Sequence, residues 1–359
     1  MGLIPSDVGL PSQMKVQEGW LFLIGDSGLA IYGVKAPRAP QLVSRLVLGY
    51  RPIPQAVQLA PDGEVLVLKE ADGGPVHIYD STDKANVVEV SRIAIGDLYA
   101  FCLLGCSWLY GSSGSIIDAR DPASPVRMRP DWRKLAGAEQ TPNHNLQEVR
   151  GGWLLDSPSA GVFDDSFLSF GLIDARSPLS PETVARGRST DDRYRFQSAS
   201  WPRAGRDRFV LLTAAWAGEA IECREDNQGP LLTYDARRFR QTGAFRPIDA
   251  FRVRSGWYVD GNARATTALG CNTGGFDAHP RFRTGGLVVV GHADHGTRFV
   301  GVDSRGRMAE VGHFLPAVAQ TAAAEWASSA RNERYVFALE PSRGVDILRW
   351  TGPLDSTAG

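Results

Sequence analysis

The sequence predicts an all-β fold, a seven-bladed β-propeller built of small four-stranded antiparallel sheets. In the 359 residues, 39 glycines and 22 prolines divide the chain into short segments, which is typical of many strands joined by turns rather than of long helices. A pattern of four short strands with tight connections also recurs at a period of about 40 residues, the size of a propeller blade. A hydrophobic fraction of 43% is enough for a substantial core.

The clearest copy of the pattern has strands predicted at 278–282, 287–290, 298–302 and 309–314. The last copy has only three strands. An open sheet edge invites pairing with other chains, so we expect residues 2–8 to supply the missing strand, with a short C-terminal strand as the alternative. The chain would then be a single domain over residues 1–359, with blades at about 15–50, 54–96, 97–131, 143–187, 195–250, 276–316 and 320–352.

Composition and net charge limit the kinds of partner and the cellular locations that we expect. A net charge of −1 gives no basic field for nucleic acid, and no stretch approaches the 18 apolar residues of a membrane span. No signal peptide is recognised at the N-terminus, so the chain could be cytosolic or a mature form. Four cysteines favour disulfides and an extracellular or periplasmic location, whereas four reduced thiols would fit the cytoplasm. Cys102 and Cys106 flank a predicted hairpin turn, and Cys223 and Cys271 lie in two long loops, where a disulfide could hold a lid over the channel.

An aspartate follows the third strand in most copies. Its carboxylate can accept hydrogen bonds from the N–H groups of the following turn, and a proline in some of these turns restricts φ. We therefore interpret these aspartates as structural. They are Asp80, Asp118, Asp174, Asp235 and Asp303.

These copies resemble the LVIVD repeat, a β-propeller repeat named after the Leu-Val-Ile-Val-Asp of this strand. The segments 118–125 (Asp-Ala-Arg-Asp-Pro-Ala-Ser-Pro) and 174–181 (Asp-Ala-Arg-Ser-Pro-Leu-Ser-Pro) fit it best, and 343–349 fits its usual ending. The resemblance covers nearly the whole chain and implies the fold, but it implies little about activity. The first copy departs from the pattern because it has no aspartate.

Candidate functional residues fall where a propeller would place them at one mouth of its central channel. Three are predicted at the first strands of their blades, and others at equivalent positions or in the connection between the second and third strands of the sixth blade. The first group is His144, His279 and Glu325; the second is Asn145, Gln197, His292, Asp294 and His295.

Several functions fit this set. Imidazoles and a carboxylate are ligands for zinc, copper or iron, so His144, His279 and Glu325 could hold a metal ion or act as catalytic acid–base groups. A metal-bound water would suit hydrolysis or oxidation. The same residues could bind a small molecule without metal, or could simply order water in the channel. We expect a module that binds a small molecule, glycan or protein, with a metal-dependent enzyme as the alternative. His77 and His313 are interpreted as structural.

Overall fold

The computed structural model describes residues 2–137, 145–157, 169–189, 191, 194–202, 208–216, 228–254, 272–293, 295–316 and 320–354. His144, Asp294, Cys223 and Cys271 lie outside these residues, so the predictions made for them stay predictions. The chain is an all-β propeller, as the repeat pattern predicts.

Five separate four-stranded antiparallel sheets form in the described ranges, each from consecutive strands. The first contains β2 (Pro11–Gln17), β3 (Trp20–Gly25), β4 (Gly28–Gly33) and β5 (Gln41–Val47). The second contains β6 (Pro52–Leu59), β7 (Val65–Glu70), β8 (Val76–Asp80) and β9 (Val88–Ile93). The third contains β10 (Ala100–Leu103), β11 (Trp108–Gly111), β12 (Ile116–Asp118) and β13 (Val126–Arg127).

The next two sheets follow the same order. The fourth contains β14 (Asn145–Arg150), β15 (Trp153–Ser157), β16 (Ser169–Asp174) and β17 (Glu182–Arg188). The fifth contains β18 (Tyr194–Ser200), β19 (Phe209–Trp216), β20 (Leu231–Asp235) and β21 (Arg246–Phe251).

The remaining strands form one eight-stranded sheet, so the prediction of seven separate blades is wrong. Its two antiparallel halves meet where β22 and β26 share a parallel pair, Gly275 with Ala323. Gly274 and Gly275 allow this approach because a Cβ on Gly274 would lie 2.0 Å from the Ala322 carbonyl oxygen. The strands are β22 (Thr273–Ala278), β23 (Gly286–His292), β24 (Gly296–Val302), β25 (Met308–Phe314), β26 (Ala323–Trp326), β27 (Tyr335–Glu340), β28 (Gly344–Arg349) and β1 (Gly2–Pro5).

The N-terminal strand completes the second half of this sheet. β1 pairs antiparallel with β28, with Gly2 opposite Ile347 and Pro5 opposite Gly344. Ile4 is buried among residues of both chain ends, including Phe337 and Ile347. The N-terminus therefore covers the edge that β28 would otherwise expose.

The aspartate turns form as predicted from the sequence. Oδ1 of Asp118 accepts a hydrogen bond from the backbone N–H of Arg120 at 3.2 Å, and the guanidinium of Arg120 returns to the carboxylate while lying 5.2 Å from the Trp108 ring centroid. These hydrogen bonds lower the pKa of Asp118. The same backbone bond, from residue i+2 to the aspartate, recurs at Asp80, Asp174, Asp235 and Asp303.

Apolar side chains fill the spaces between neighbouring sheets. Phe22 of β3 packs with Leu66 and Leu68 of β7, and Leu211 of β19 packs with Val288 of β23. Helices are short: α1 (Trp132–Ala136), α2 (Phe239–Thr242) and a 3₁₀ turn (Ala330–Asn332). Within the described residues, no helix has the length and apolar character needed to cross a membrane.

Candidate functional site

His292 and His295 contact each other at the turn between β23 and β24, the connection where the sequence analysis placed them. Their Nδ1 atoms lie 3.0 Å apart, and both side chains are buried. The backbone N–H of His295 donates to the carbonyl of His292, and Gly296 follows with a φ of +71°, which closes the turn tightly. A hydrogen bond between two Nδ1 atoms needs one N–H and one lone pair, so the two imidazoles adopt opposite tautomers when neutral.

Burial keeps both histidines uncharged at neutral pH. It lowers the pKa of His292 well below its usual value, with smaller contributions from His295 and Arg298. Burial and Arg298 also lower the pKa of His295 to about 3. Arg298 is itself buried; its Nε donates to the His295 carbonyl at 2.8 Å, and one terminal nitrogen lies 3.1 Å from Glu310. With pKa values lowered in this way, the two imidazoles act at neutral pH as uncharged hydrogen-bonding groups and take up protons poorly.

His279 lies at the other end of its blade. The inner strand β22 begins at Thr273, which pairs with His292, and ends at Ala278, immediately before His279. The two ends are about 17 Å apart at a rise of about 3.3 Å per residue. The prediction that His279 opens this strand is therefore wrong. Glycines 274 and 275 lie inside β22, which pairs with β23 on one side and approaches β26 on the other.

The nitrogens of His279 are already used within the protein. Nδ1 accepts from the Arg281 backbone N–H at 3.1 Å, and Nε2 donates to the Glu333 carbonyl at 2.9 Å. The ring meets Trp326 edge-on, with centroids 4.7 Å apart. Glu325 precedes Trp326 in β26 and so points to the opposite face of that strand. Thus His279 and Glu325, predicted together as catalytic groups and metal ligands, do not share a centre.

Glu325 instead belongs to a group on three inner strands, which we call the acidic sector: Lys15 of β2, Asp277 of β22 and Glu325 of β26. Oε1 of Glu325 lies 3.3 Å from Nζ of Lys15, whose side chain is 41% exposed. Oε2 of Glu325 accepts from the Val16 backbone N–H at 2.7 Å. Oδ2 of Asp277 accepts from the Trp326 backbone N–H at 3.0 Å. Each carboxylate therefore also links one inner strand to the next.

Glutamine side chains make the same kind of hydrogen bond between other pairs of inner strands. Oε1 of Gln13 accepts from the Val57 N–H at 3.1 Å, and Oε1 of Gln58 accepts from the Cys102 N–H at 3.3 Å. A neutral amide oxygen is therefore sufficient for this contact between strands. The carboxylates of the acidic sector add negative charge that the contact itself does not need.

The charges of the acidic sector are coupled. Burial and the Glu325 carboxylate raise the pKa of Asp277 to about 7, against the opposing effects of the Trp326 N–H and Lys15. The Glu325 carboxylate also raises the pKa of Lys15. The three side chains therefore bring two carboxyl groups and one amino group together, and the ionisation of Asp277 is opposed by burial and by its acidic neighbour.

The sequence analysis missed Lys15 and Asp277. The available signal was alternation: Gln13, Lys15 and Gln17 alternate with Met14 and Val16, the pattern of a strand with one polar face.

Two further predicted residues lie on strands of other sheets. Gln197 lies within β18 and is partly buried, and Asn145 is the first residue of β14. Cys102 and Cys106 form a disulfide across their hairpin turn, as expected. In the ranges that the structure describes, no group of three or more His, Cys, Asp or Glu side chains is arranged to hold a metal ion.

A second polar site surrounds His77, which the sequence analysis took as structural. The imidazole is buried and stacks on Tyr50, with centroids 3.8 Å apart and an angle of 11° between the rings. Its Nε2 lies 3.2 Å from Glu70 and its Nδ1 lies 3.3 Å from Glu89. The sequence around His77 did not indicate these two carboxylates, because Glu70 and Glu89 come from the two neighbouring strands.

His313 is a surface residue. It lies on the outer strand β25, where its Nδ1 is 2.8 Å from Glu310. Its side chain is 43% exposed.

No family model matches this chain, and no curated protein matches it either. Solved structures resemble it in fold. Hydrazine synthase of Kuenenia stuttgartiensis has a TM-score of 0.64 at 13% identity, covering 97% of both chains. The β-propeller domain of Cps50 (Swd1) from Myceliophteria thermophila has a TM-score of 0.64 at 13% identity, covering 98% of this chain and all of that one. U3-55K has a TM-score of 0.59 at 9% identity, covering 94% and 90%. At these identities the likeness shows the fold alone.

Proposed function

We propose that this chain is a binding propeller whose acidic sector receives a positively charged group, such as a guanidinium or ammonium, of a ligand or protein partner. The observation that carries the proposal is the use of carboxylates at Asp277 and Glu325, where Gln13 and Gln58 make the equivalent contact with a neutral amide. Charge that is not needed for the fold is available for recognition.

The protonation of Asp277 supports a cationic ligand. Burial first, and the Glu325 carboxylate second, raise the pKa of Asp277 to about 7, so its ionised form is unfavourable unless a positive charge lies beside it. A bound cation would supply that charge. Binding should therefore release protons and strengthen as Asp277 ionises.

We further propose that the chain is a single domain of the LVIVD-repeat type. The turn shared by Asp80, Asp118, Asp174, Asp235 and Asp303 supports this assignment, because one side chain–backbone bond recurs at the end of the third strand. An extracellular or periplasmic location is part of the proposal and is supported by the Cys102–Cys106 disulfide. The metal-dependent hydrolase or oxidase is not proposed, because His279 and Glu325 lie on opposite faces.

The test is titration with Nα-acetyl-arginine methylamide, using the citrulline analogue as an uncharged probe of the same shape. We expect the arginine probe to bind more tightly at about pH 8 than at about pH 6, by up to about tenfold, since the ionised fraction of Asp277 rises by that factor. Isothermal titration calorimetry in two buffers of different ionisation enthalpy would measure affinity and released protons together.

Asp277→Asn and Glu325→Gln keep an oxygen acceptor for the neighbouring strand but remove charge. Both should weaken binding of the arginine probe, and Asp277→Asn should abolish its pH dependence. Gln58→Ala is the matched control, because it removes a contact of the same kind between two other strands, β6 and β10, and should leave binding unchanged. Equal binding of the citrulline probe, or wild-type affinity in both charge variants, would contradict the proposal.

A further inference from the structure

A cavity of about 350 Å³ lies beside His77, between the segment that follows β5 and strands β7 to β9. We call it the His77 pocket. Its volume is at the lower end of those that hold small ligands. The walls are apolar at Leu46 and Val47 and aromatic at Tyr50 and Tyr79. Their charged members are Glu70, Glu89 and Arg92.

The side chains of this pocket are held in place. Nε2 of His77 is hydrogen-bonded to Glu70, its Nδ1 lies 3.3 Å from Glu89, and its ring stacks on the parallel ring of Tyr50. The hydroxyl of Tyr50 is hydrogen-bonded to the hydroxyl of Tyr79 at 2.8 Å. A histidine held in one orientation in the wall of a cavity is typical of a binding site rather than of a solvated strand. Neighbouring contacts fix the geometry of its ring.

Electrostatically, the pocket favours a cation. Burial raises the pKa of Tyr79 to about 12 and raises that of Tyr50 further, so both phenols stay neutral and contribute ring faces and hydroxyl groups. Arg92 pairs with Glu89 at 3.0 Å but is largely exposed. Among the described residues, the carboxylate of Glu70 lies 3.2 Å from Nε2 of His77 and makes no ion pair with a lysine or arginine side chain.

We propose that the His77 pocket binds a small organic amine, with its ammonium group between Glu70 and Glu89 and its apolar part against Tyr50 and Leu46. Carboxylates and aromatic faces together form the environment that organic cations prefer. This site is independent of the acidic sector, because the two groups lie on different strands and share no residue.

The probe is 2-phenylethylamine, compared with 2-phenylethanol as its neutral analogue and phenylacetate as an anion. We expect saturable binding of the amine to the full chain by ligand-observed NMR, with at least about tenfold weaker binding of the alcohol and the anion. Glu70→Gln and Glu89→Gln should each weaken the amine about tenfold, since each removes one charge-assisted contact. Tighter binding of the alcohol or of the anion would overturn the proposal.

A substitution at an exposed residue can test amine binding even if the substitution of a buried residue disturbs the fold. Val47 is 74% exposed and lines the pocket, so Val47→Arg should fold normally and repel the amine. Val311→Arg, on the outer strand β25, is the matched control and should bind as the parent does. Asp277→Asn should also leave amine binding unchanged, which separates this site from the acidic sector. Parental affinity in Val47→Arg, Glu70→Gln and Glu89→Gln would overturn the proposal.

Discussion

The contact between His292 and His295 depends on both imidazoles remaining neutral. If either took up a proton, its charge would be buried beside Arg298, whose guanidinium is also buried. Glu310 offsets the charge of Arg298 but lies on the far side of that residue from the histidine pair. The pair should therefore couple the stability of the β23–β24 turn to pH.

We expect acidification to destabilise the protein through this pair. The pKa of His295 is about 3 in the folded chain and about 6.5 when unfolded. Its contribution to stability is therefore complete above about pH 6.5 and is lost as pH falls toward 3, at up to about 1.4 kcal/mol per pH unit. Urea unfolding between about pH 7 and pH 4 should give a smaller pH slope for His295→Gln than for the parent. His313→Gln, at an exposed position, should leave the slope unchanged; identical slopes for all three proteins would refute this coupling.

The hairpin between β10 and β11 is closed by a disulfide. Leu104 and Cys106 have positive φ values in this turn, at 51° and 62°, a region that non-glycine residues seldom adopt. The sulfurs of Cys102 and Cys106 cross-link the turn and are buried against Ala60 and Leu109 in the space between the second and third sheets. The disulfide thus holds the turn in a backbone conformation that is unfavourable for non-glycine residues.

Reduction of this disulfide should lower the free energy of unfolding by about 2 kcal/mol, the loop-closure value for a ring of about five residues. The measurement is urea unfolding of the protein with and without a phosphine reductant, with alkylation and mass spectrometry to identify the bonded cysteines. A Cys102→Ala, Cys106→Ala variant should unfold as the reduced protein does and be insensitive to the reductant. An alkylated Cys102 in native, unreduced protein would show that the bond does not form.

The ring as a whole is closed by its two chain ends. β1 covers the edge of β28, and Ile4 places its side chain among Phe337, Val345 and Ile347. Without β1, the N–H and C=O groups of β28 would be open to another chain. The first residues of the sequence are therefore part of the last sheet.

Ile4→Ala should cost about 2–4 kcal/mol, because it leaves a cavity at a side chain that is only 1% exposed. Leu3→Ala is the matched control on the same strand. The side chain of Leu3 is 47% exposed, so its loss should change stability by less than about 0.5 kcal/mol. Thermal unfolding with light scattering would compare the two variants, and we expect Ile4→Ala to aggregate at lower temperature. Equal midpoints for the two variants would mean that β1 does not stabilise the sheet.

Local patterns were enough to predict most of the strands, the aspartate turns, the Cys102–Cys106 pair and the turn that holds His292 and His295. Each depends on residues close together in the chain: a turn aspartate bonds to the N–H two residues later, and the two cysteines are separated by four positions. A period of two in side-chain polarity also follows directly from strand geometry. These features could be predicted because their physical causes are contained within single repeats.

Contacts between repeats decide which strands form separate blades and which residues form the candidate sites. Gly275 lets β22 approach β26, and this contact joins two blades that were predicted to be separate. His279 follows the last residue of β22 rather than opening the strand. Lys15 and Glu325, 310 residues apart, meet only because the ring closes. The sequence by itself determined the repeating strands and their turns, whereas the tertiary structure decided which side chains meet, since ring closure sets neighbours independently of their distance along the chain.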